Sequence, residues 1–162
     1  MTGPFGSAPA YAILILGLSV VTLLGGCNRS EKTKTPGRAP GERRFLVLDP
    51  GHFHAALVFR PSAYENISST VGVYAPVGDD VLGFLNLVTP FNSRKEDPGQ
   101  WRYDLHLSPD FMEGILREAP GSMVVISGRN DEKIDRTLAC LEAGFHVLAD
   151  KPWIIEHGQF AM

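Results

Sequence analysis

The hydrophobic pattern is clearest between Val124 and Trp153, where a short apolar run, an amphipathic segment and a second apolar run follow one another. Val124–Ile126 is a β-branched run, typical of a strand buried on both faces. Gly144 stands where a helix favours a left-handed C-terminal residue, and Phe145–Ala149 returns as a second strand. Between them, apolar residues recur at helical spacing, at Ile134, Leu138 and Leu141. The pattern predicts a βαβ unit with two parallel strands and a right-handed crossover.

Polar residues at the ends of this unit are candidates for capping and for ligand binding. Asn130 or Asp131 is expected to cap the helix, because a short polar side chain can accept hydrogen bonds from the first turn. Lys151 comes just after the second predicted strand. Ligands of open α/β sheets bind outside the carboxyl ends of the strands, so Lys151 is expected to face a ligand.

The preceding chain shows the same alternation of strand-like and helix-like segments. Strands are predicted at Phe45–Leu48, Val71–Ala75 and Trp101–Leu107. Helices are predicted at Ala55–Arg60, Val81–Thr89 and Pro109–Ala119. Pro90 is expected to end the second of these helices, and the polar stretch Asn92–Gly99 is expected to be a loop. The alternation predicts an α/β domain with a doubly wound, mainly parallel sheet.

Composition sets limits on the class of protein. The chain has 162 residues, of which 44% are hydrophobic and 20% are charged, and its net charge is −3. These values suit one globular domain behind a leader. Nucleic acid is not an expected partner, because proteins that bind it usually present a basic face.

The first 27 residues differ from the rest. Tyr11–Leu24 is an almost unbroken apolar run, and the tetrapeptide LGGC that ends at Cys27 resembles the lipobox of bacterial lipoproteins. This resemblance implies a signal peptide over residues 1–27, a lipid on Cys27 and an exported, membrane-anchored protein on the periplasmic or outer face. No Lys or Arg precedes the apolar run, whereas signal peptides normally carry positive charge there. An uncleaved N-terminal membrane anchor and a buried core helix are the alternatives.

Residues 28–43 form a predicted flexible linker, since they are rich in Lys, Arg, Thr, Pro and Gly and lack apolar periodicity. The folded domain is predicted over residues 44–162. Its cysteine, Cys140, is expected to be free and buried on the inner face of its helix, beside Leu138 and Leu141.

The C-terminal segment carries a family resemblance. The sequence AGFHVLADKP, at Ala143–Pro152, resembles the AGKHVLCEKP motif of the glucose-fructose oxidoreductase/inositol dehydrogenase (Gfo/Idh/MocA) family. The turn SGRN, which ends at Asn130, stands where that family has a Thr-Pro-Asn-like turn, and Asp150 stands at the family's Glu. The resemblance extends weakly back to Phe45.

This resemblance implies a Rossmann-like domain that binds NAD or NADP, in an enzyme that acts on a sugar or polyol. In the family the motif's Lys lies beside the nicotinamide and the substrate hydroxyl, which makes Lys151 the candidate catalytic residue. The residues expected to line the cofactor cleft are Gly51, His52, Phe53, Asn130, Asp150 and Lys151. Family members continue into a second α/β domain that supplies substrate contacts, and we expect that domain to be absent here.

The first strand is followed by a turn that departs from the dinucleotide-binding pattern. Gly-x-Gly-x-x-Gly would fall on Asp49, Gly51 and His54, and only Gly51 matches. Asp49 would also bring a carboxylate close to a pyrophosphate unless it is turned away or neutralised. Asp79 and Asp80 come slightly late for binding a ribose after the second strand, so helix capping is their expected role.

The same turn suggests an alternative chemistry. The sequence LDPGH, which ends at His52, resembles the first metal-ligand motif of zinc N-acetylmuramoyl-L-alanine amidases. That resemblance implies zinc on His52 with a Glu downstream as second ligand, for which Glu65 is the candidate. His54, His106 and His146 offer further imidazoles. The bland alternative is a helix-capping turn without a ligand.

Two classes of function are therefore open. One is the nucleotide-binding domain of an NAD(P)-dependent oxidoreductase. The other is a non-catalytic remnant or binding module that keeps the fold without turnover, since the glycine pattern is incomplete and fold alone does not establish activity.

Overall fold

The computed structural model describes residues 43–161, which form a five-stranded, all-parallel sheet flanked by helices. The strands are β1 (Phe45–Leu48), β2 (Thr70–Ala75), β3 (Arg102–Leu107), β4 (Met123–Ile126) and β5 (His146–Ala149). The helices are α1 (His54–Leu57), α2 (Asp79–Ser93), α3 (Phe111–Leu116) and α4 (Lys133–Glu142). A short 3₁₀ helix follows at His157–Ala161.

The order of the strands is β3-β2-β1-β4-β5, with β1 in the centre. Leu46 of β1 pairs with Gly72 on one side and with Val124 on the other. Strands β2 and β3 extend the sheet in one direction and β4 and β5 in the other, so the order reverses between β1 and β4. This confirms the predicted Rossmann-like α/β fold, and the reversal is the point at which ligands bind in such sheets.

The core has two halves because β1 is buried on both faces, as its apolar run predicts. Phe45 and Val47 pack on one face with Phe59 and Trp101. On the other face a second cluster gathers Leu46, Leu48, Ile115, Val124 and Cys140. Burying each large apolar side chain contributes roughly 1.5–3 kcal/mol to the stability of the fold. The two clusters therefore hold the central strands firmly in place.

Helix α2 is longer than predicted. It continues through Pro90, which was expected to end it, and ends at Ser93. Proline removes one N–H donor from the helix. The backbone carbonyl of Leu85 accepts from the Thr89 hydroxyl at 2.7 Å. Packing of the helix on the core outweighs the lost bond, through the buried residues Val81, Phe84 and Val88.

The other boundaries move less. Strands β2, β3, β4 and β5 each differ from the prediction by one residue at the start, and α1 and α3 are shorter than expected. Gly144 has a φ of 82°, which confirms the left-handed residue after α4.

Helix α4 presents a different face from the one predicted. Its buried residues are Lys133, Thr137 and Cys140, whereas Leu141 is 50% exposed. The buried face is set partly by polar contacts, because the Lys133 ammonium group donates to the carboxylate of Asp150, which directly follows β5. The expected cap is also wrong: Glu132 precedes the helix and no side chain caps it, neither Asn130 nor Asp131.

Cys140 is free and buried, as predicted. Burial raises the pKa of its thiol to about 11.

The predicted leader, the Cys27 lipidation site and residues 28–42 of the linker lie outside the described residues. Within residues 43–161, no helix is long and apolar enough to cross a membrane.

Candidate functional site

A cleft of about 400 Å³ opens at the carboxyl edge of the sheet, where the strand order reverses. Three segments form most of its wall. The turn after β1 contributes Gly51 and His52, the loop after β4 contributes residues 128–130, and the chain after β5 contributes residues 150–152. Asp80 of α2 and Lys133 of α4 complete the lining.

Most of the predicted cofactor residues meet in this cleft. They are Gly51, His52, Asn130, Asp150 and Lys151. Phe53 lies beside them instead: it is 52% exposed, and its ring centroid is 4.5 Å from that of His52. Residues that are far apart in the sequence thus converge because β1, β4 and β5 are parallel and end at one edge.

The turn after β1 is held tightly against the loop after β4. Asp49 adopts a φ of 46°, and its carbonyl oxygen accepts from the Gly51 N–H at 2.9 Å. The Ser127 hydroxyl donates to the His52 carbonyl at 3.0 Å. Gly128 is required by this packing, because a Cβ there would lie 2.4 Å from the Asp49 carbonyl oxygen. The sequence pattern alone does not mark Gly128 as essential.

The carboxylate of Asp49 is neutralised. It is buried and forms an ion pair with Arg136 of α4. Arg136 also pairs with Glu132 and lies over the Phe111 ring, 5.2 Å from its centroid. The negative charge of Asp49, which was expected to lie near a pyrophosphate, is therefore compensated by Arg136.

Asp79 and Asp80 lie in the first turn of α2, but neither caps the helix, since Gly78 precedes it and no side chain makes a capping bond. The capping prediction is therefore wrong for both. Asp80 is exposed and lines the main cleft and a neighbouring one of about 300 Å³. The second cleft extends toward Pro76 at the end of β2, where a ribose binds in dinucleotide folds.

Asp150 is the most connected side chain of the cleft. Its Oδ1 lies 2.5 Å from the Lys133 ammonium group. Its Oδ2 lies 2.9 Å from Nδ1 of His54 and 3.3 Å from Nδ1 of His52. Burial alone would raise the pKa of the Asp150 carboxyl group, but hydrogen bonds from Lys133 and His54 outweigh burial and hold that pKa below its usual value.

Lys133 is a residue of the cleft that the sequence pattern did not predict. Its side chain is 1% exposed, and its Nζ also lies 3.3 Å from the Asp150 carbonyl oxygen. The available signal was its place in the first turn of α4, where the helix dipole disfavours a cation. A buried ammonium group needs a compensating partner, and Asp150 provides it.

Lys151 is exposed at the mouth of the cleft. The following bond, Lys151–Pro152, is a cis peptide, and the Trp153 indole donates to the Ala149 carbonyl at 3.1 Å. Arg129 is exposed on another side of the same cleft. Within residues 43–161, neither Lys151 nor Arg129 forms a salt bridge, so both cations are available to a ligand.

The other residues considered as zinc ligands lie elsewhere. His106 stacks on the Tyr74 ring with centroids 4.4 Å apart, and its Nε2 lies 3.1 Å from the Asp104 carboxylate. His146 is exposed on β5, and Glu65 is exposed in the loop before β2.

In the described part of the chain, the group of potential metal ligands that includes His52 contains His54 and Asp150 and does not contain Glu65.

The structure is similar to a crystal structure from Parabacteroides merdae ATCC 43184 that is described as a "putative oxidoreductase". The two share 41% sequence identity with a TM-score of 0.70, and the match covers 76% of this chain and 28% of the other. This chain therefore spans less than a third of that protein's length. No family model and no curated protein matches the chain. The comparison and the sheet order together give the chain an oxidoreductase-like Rossmann fold.

Proposed function

We propose that residues 44–162 are the nucleotide-binding domain of an NAD(P)-dependent oxidoreductase of the Gfo/Idh/MocA type, acting on a sugar or polyol. The observation that carries the proposal is the cleft at the reversal of strand order, lined by Gly51, Asn130 and Lys151. Dinucleotides bind at this point of doubly wound sheets.

The charges of the cleft suit a dinucleotide. A diphosphate needs positive charge, and Arg129 and Lys151 offer two exposed cations on different sides of the cleft. Asp49 does not oppose it, because Arg136 compensates that carboxylate. The neighbouring cleft beside Pro76 offers space for the adenosine half.

The chemistry would take place at the end of β5. A bound nicotinamide would supply or accept the hydride. Lys151 would orient the substrate hydroxyl and carry its proton, in line with the role of the matching Lys in the family that the motif resembles. Asp150, held by Lys133, fixes the start of the segment that presents Lys151.

Calorimetric titration of the full chain with NAD⁺ and with NADP⁺ tests this proposal. We expect one nucleotide per chain, with binding weakened about tenfold by Lys151→Ala through loss of a charge-assisted contact. Lys95→Ala is the matched control, because Lys95 follows α2 and so lies near the opposite edge of the sheet. Absence of binding by the folded chain would overturn the proposal.

Turnover tests the catalytic part of the proposal. Reduction of bound NAD(P)⁺ on addition of a sugar or polyol would establish the oxidoreductase. Nucleotide binding with no reduction by any of a panel of such substrates would limit the assignment of this chain to nucleotide binding, since the chain spans less than a third of the length of its solved relative.

The membrane tether is a separate part of the proposal. The LGGC motif and the apolar run before it support a lipid on Cys27 and an exported protein held at a membrane surface. In that arrangement residues 28–43 would act as a spacer between the membrane and the domain.

A further inference from the structure

We propose that His52, His54 and Asp150 form a binding site for a divalent transition-metal ion such as Zn²⁺. The site lies on the wall of the cleft and does not depend on nucleotide binding. It also differs from the amidase-like arrangement, because its carboxylate comes from the end of β5 and not from Glu65.

The ligand atoms already have the spacing of donors on one ion. Oδ2 of Asp150 lies 2.9 Å from Nδ1 of His54 and 3.3 Å from Nδ1 of His52. One potential ligand atom from each of the three residues lies within 4.8 Å of the other two. Donors held about 2.1 Å from a zinc ion are about 3.0 Å apart at a right angle and about 3.4 Å apart at the tetrahedral angle.

The surrounding structure holds these donors in place. Lys133 binds Oδ1 of Asp150, which leaves Oδ2 turned toward the two histidines. The His52 carbonyl accepts from the Ser127 hydroxyl and from the Ala55 N–H, at 3.0 Å and 3.3 Å. These bonds fix the backbone from which the His52 side chain projects. The Lys133 ammonium group also withdraws charge from the carboxylate, so we expect moderate affinity and exchange of the ion with a chelator.

The set of donors indicates the class of ion. Two imidazole nitrogens and one carboxylate oxygen suit zinc and its neighbours in the first transition row, and do not suit Ca²⁺ or Mg²⁺, which prefer oxygen. Catalytic zinc sites keep one position open beside three protein ligands. Because His52 and Asp150 line the cleft, an open position on this ion would face the space where a ligand oxygen can bind.

Titration of the tag-free full chain with Zn²⁺ alone, followed by calorimetry, tests the proposal. We expect one ion per chain, with His52→Ala, His54→Ala and Asp150→Asn each weakening binding at least about tenfold. His146→Ala is the matched control, since His146 is exposed on β5 and outside the group. It should bind zinc as the unmodified chain does.

Co²⁺ gives a second readout that does not depend on the variants folding. The unmodified chain should give visible absorption of a tetrahedral or five-coordinate cobalt site without a sulfur-to-cobalt charge-transfer band. Failure of the folded chain to bind Zn²⁺ would overturn the proposal. So would a thiolate band, or zinc binding that His52→Ala and His54→Ala leave unchanged. Because Zn²⁺ and nucleotide are titrated separately, a negative result in one experiment leaves the other standing.

Discussion

The side chain of Lys133 is 1% exposed, and its ammonium group lies 2.5 Å from Oδ1 of Asp150, seventeen residues further along the chain. This pair joins the first turn of α4 to the end of β5. It therefore fixes the position of the segment that carries Lys151, and it leaves the other oxygen of Asp150 to the two histidines.

Replacing Lys133 with Met keeps most of its volume and removes its charge. We expect the free energy of unfolding to fall by about 1–3 kcal/mol, because the largely buried Asp150 loses its strongest partner and keeps only the histidines and partial contact with water. Urea denaturation measures the change. Lys95→Met, at an exposed lysine, should stay within about 0.5 kcal/mol of the unmodified protein. Equal effects of the two substitutions would refute the role assigned to Lys133.

Gly128 should not tolerate alanine. The added Cβ would lie 2.4 Å from the Asp49 carbonyl oxygen and 2.8 Å from its carboxylate, so the two loops must move apart. We expect a loss of about 1–3 kcal/mol in unfolding free energy. Gly83→Ala is a control of opposite sign: Gly83 lies within α2 with nothing within 4 Å of a new Cβ, so alanine should stabilise by about 0.5–1 kcal/mol. A stable, unperturbed Gly128→Ala protein would contradict the close packing.

Because of the buried Cys140 thiol, the free energy of unfolding should fall as the pH becomes alkaline. Burial raises its pKa to about 11, whereas an exposed thiol in the unfolded chain ionises near about 8.5. Stability from the neutral buried thiol is therefore complete below about pH 8.5 and is lost as the pH rises toward about 11. Relative to Cys140→Ala, the unmodified chain should lose roughly 1–3 kcal/mol across this window. A difference between the two proteins that stays constant from pH 7 to about 10.5 would contradict this assignment.

The proposed lipid anchor depends on one cysteine. In bacteria that express the full chain, labelled palmitate should be incorporated and the protein should fractionate with membranes. Cys27→Ser should abolish the label, because it removes the thiol of the LGGC motif to which the lipid would be attached. Cys140→Ala should retain it, since that cysteine is buried in the folded domain. Label that persists in Cys27→Ser would exclude the lipobox interpretation.

The sequence predicted the strands better than it predicted the helices. Val124–Ile126 and Phe45–Leu48 are apolar on both faces, and such runs have few alternatives to a central parallel strand. Helix α2 continues past Pro90 because its contacts with the core outweigh one lost hydrogen bond, and local propensity does not contain that information. The buried face of α4 was misread for a similar reason: Lys133 is buried by its pairing with Asp150.

Residues of the cleft were predicted where a local motif marked them. Gly51, Asp150 and Lys151 were identified from short motifs, and the topology places all three in one cleft. The pairing of Asp49 with Arg136 spans 87 residues and leaves no local trace in the sequence. The same holds for the convergence of His52 and Asp150, which depends on β1 and β5 ending at one edge of the sheet.

The central claim is that the cleft between β1 and β4 binds a nicotinamide dinucleotide. Nuclear magnetic resonance of the isotopically labelled 17.7 kDa chain, titrated with NAD⁺ and then NADP⁺, tests it most directly. The account predicts that amide signals of Gly51, Gly128, Asn130 and Lys151 shift together with one affinity, while those at the opposite edge, such as Lys95, stay in place. No shifts at saturating nucleotide, or shifts confined to residues outside the cleft, would contradict it.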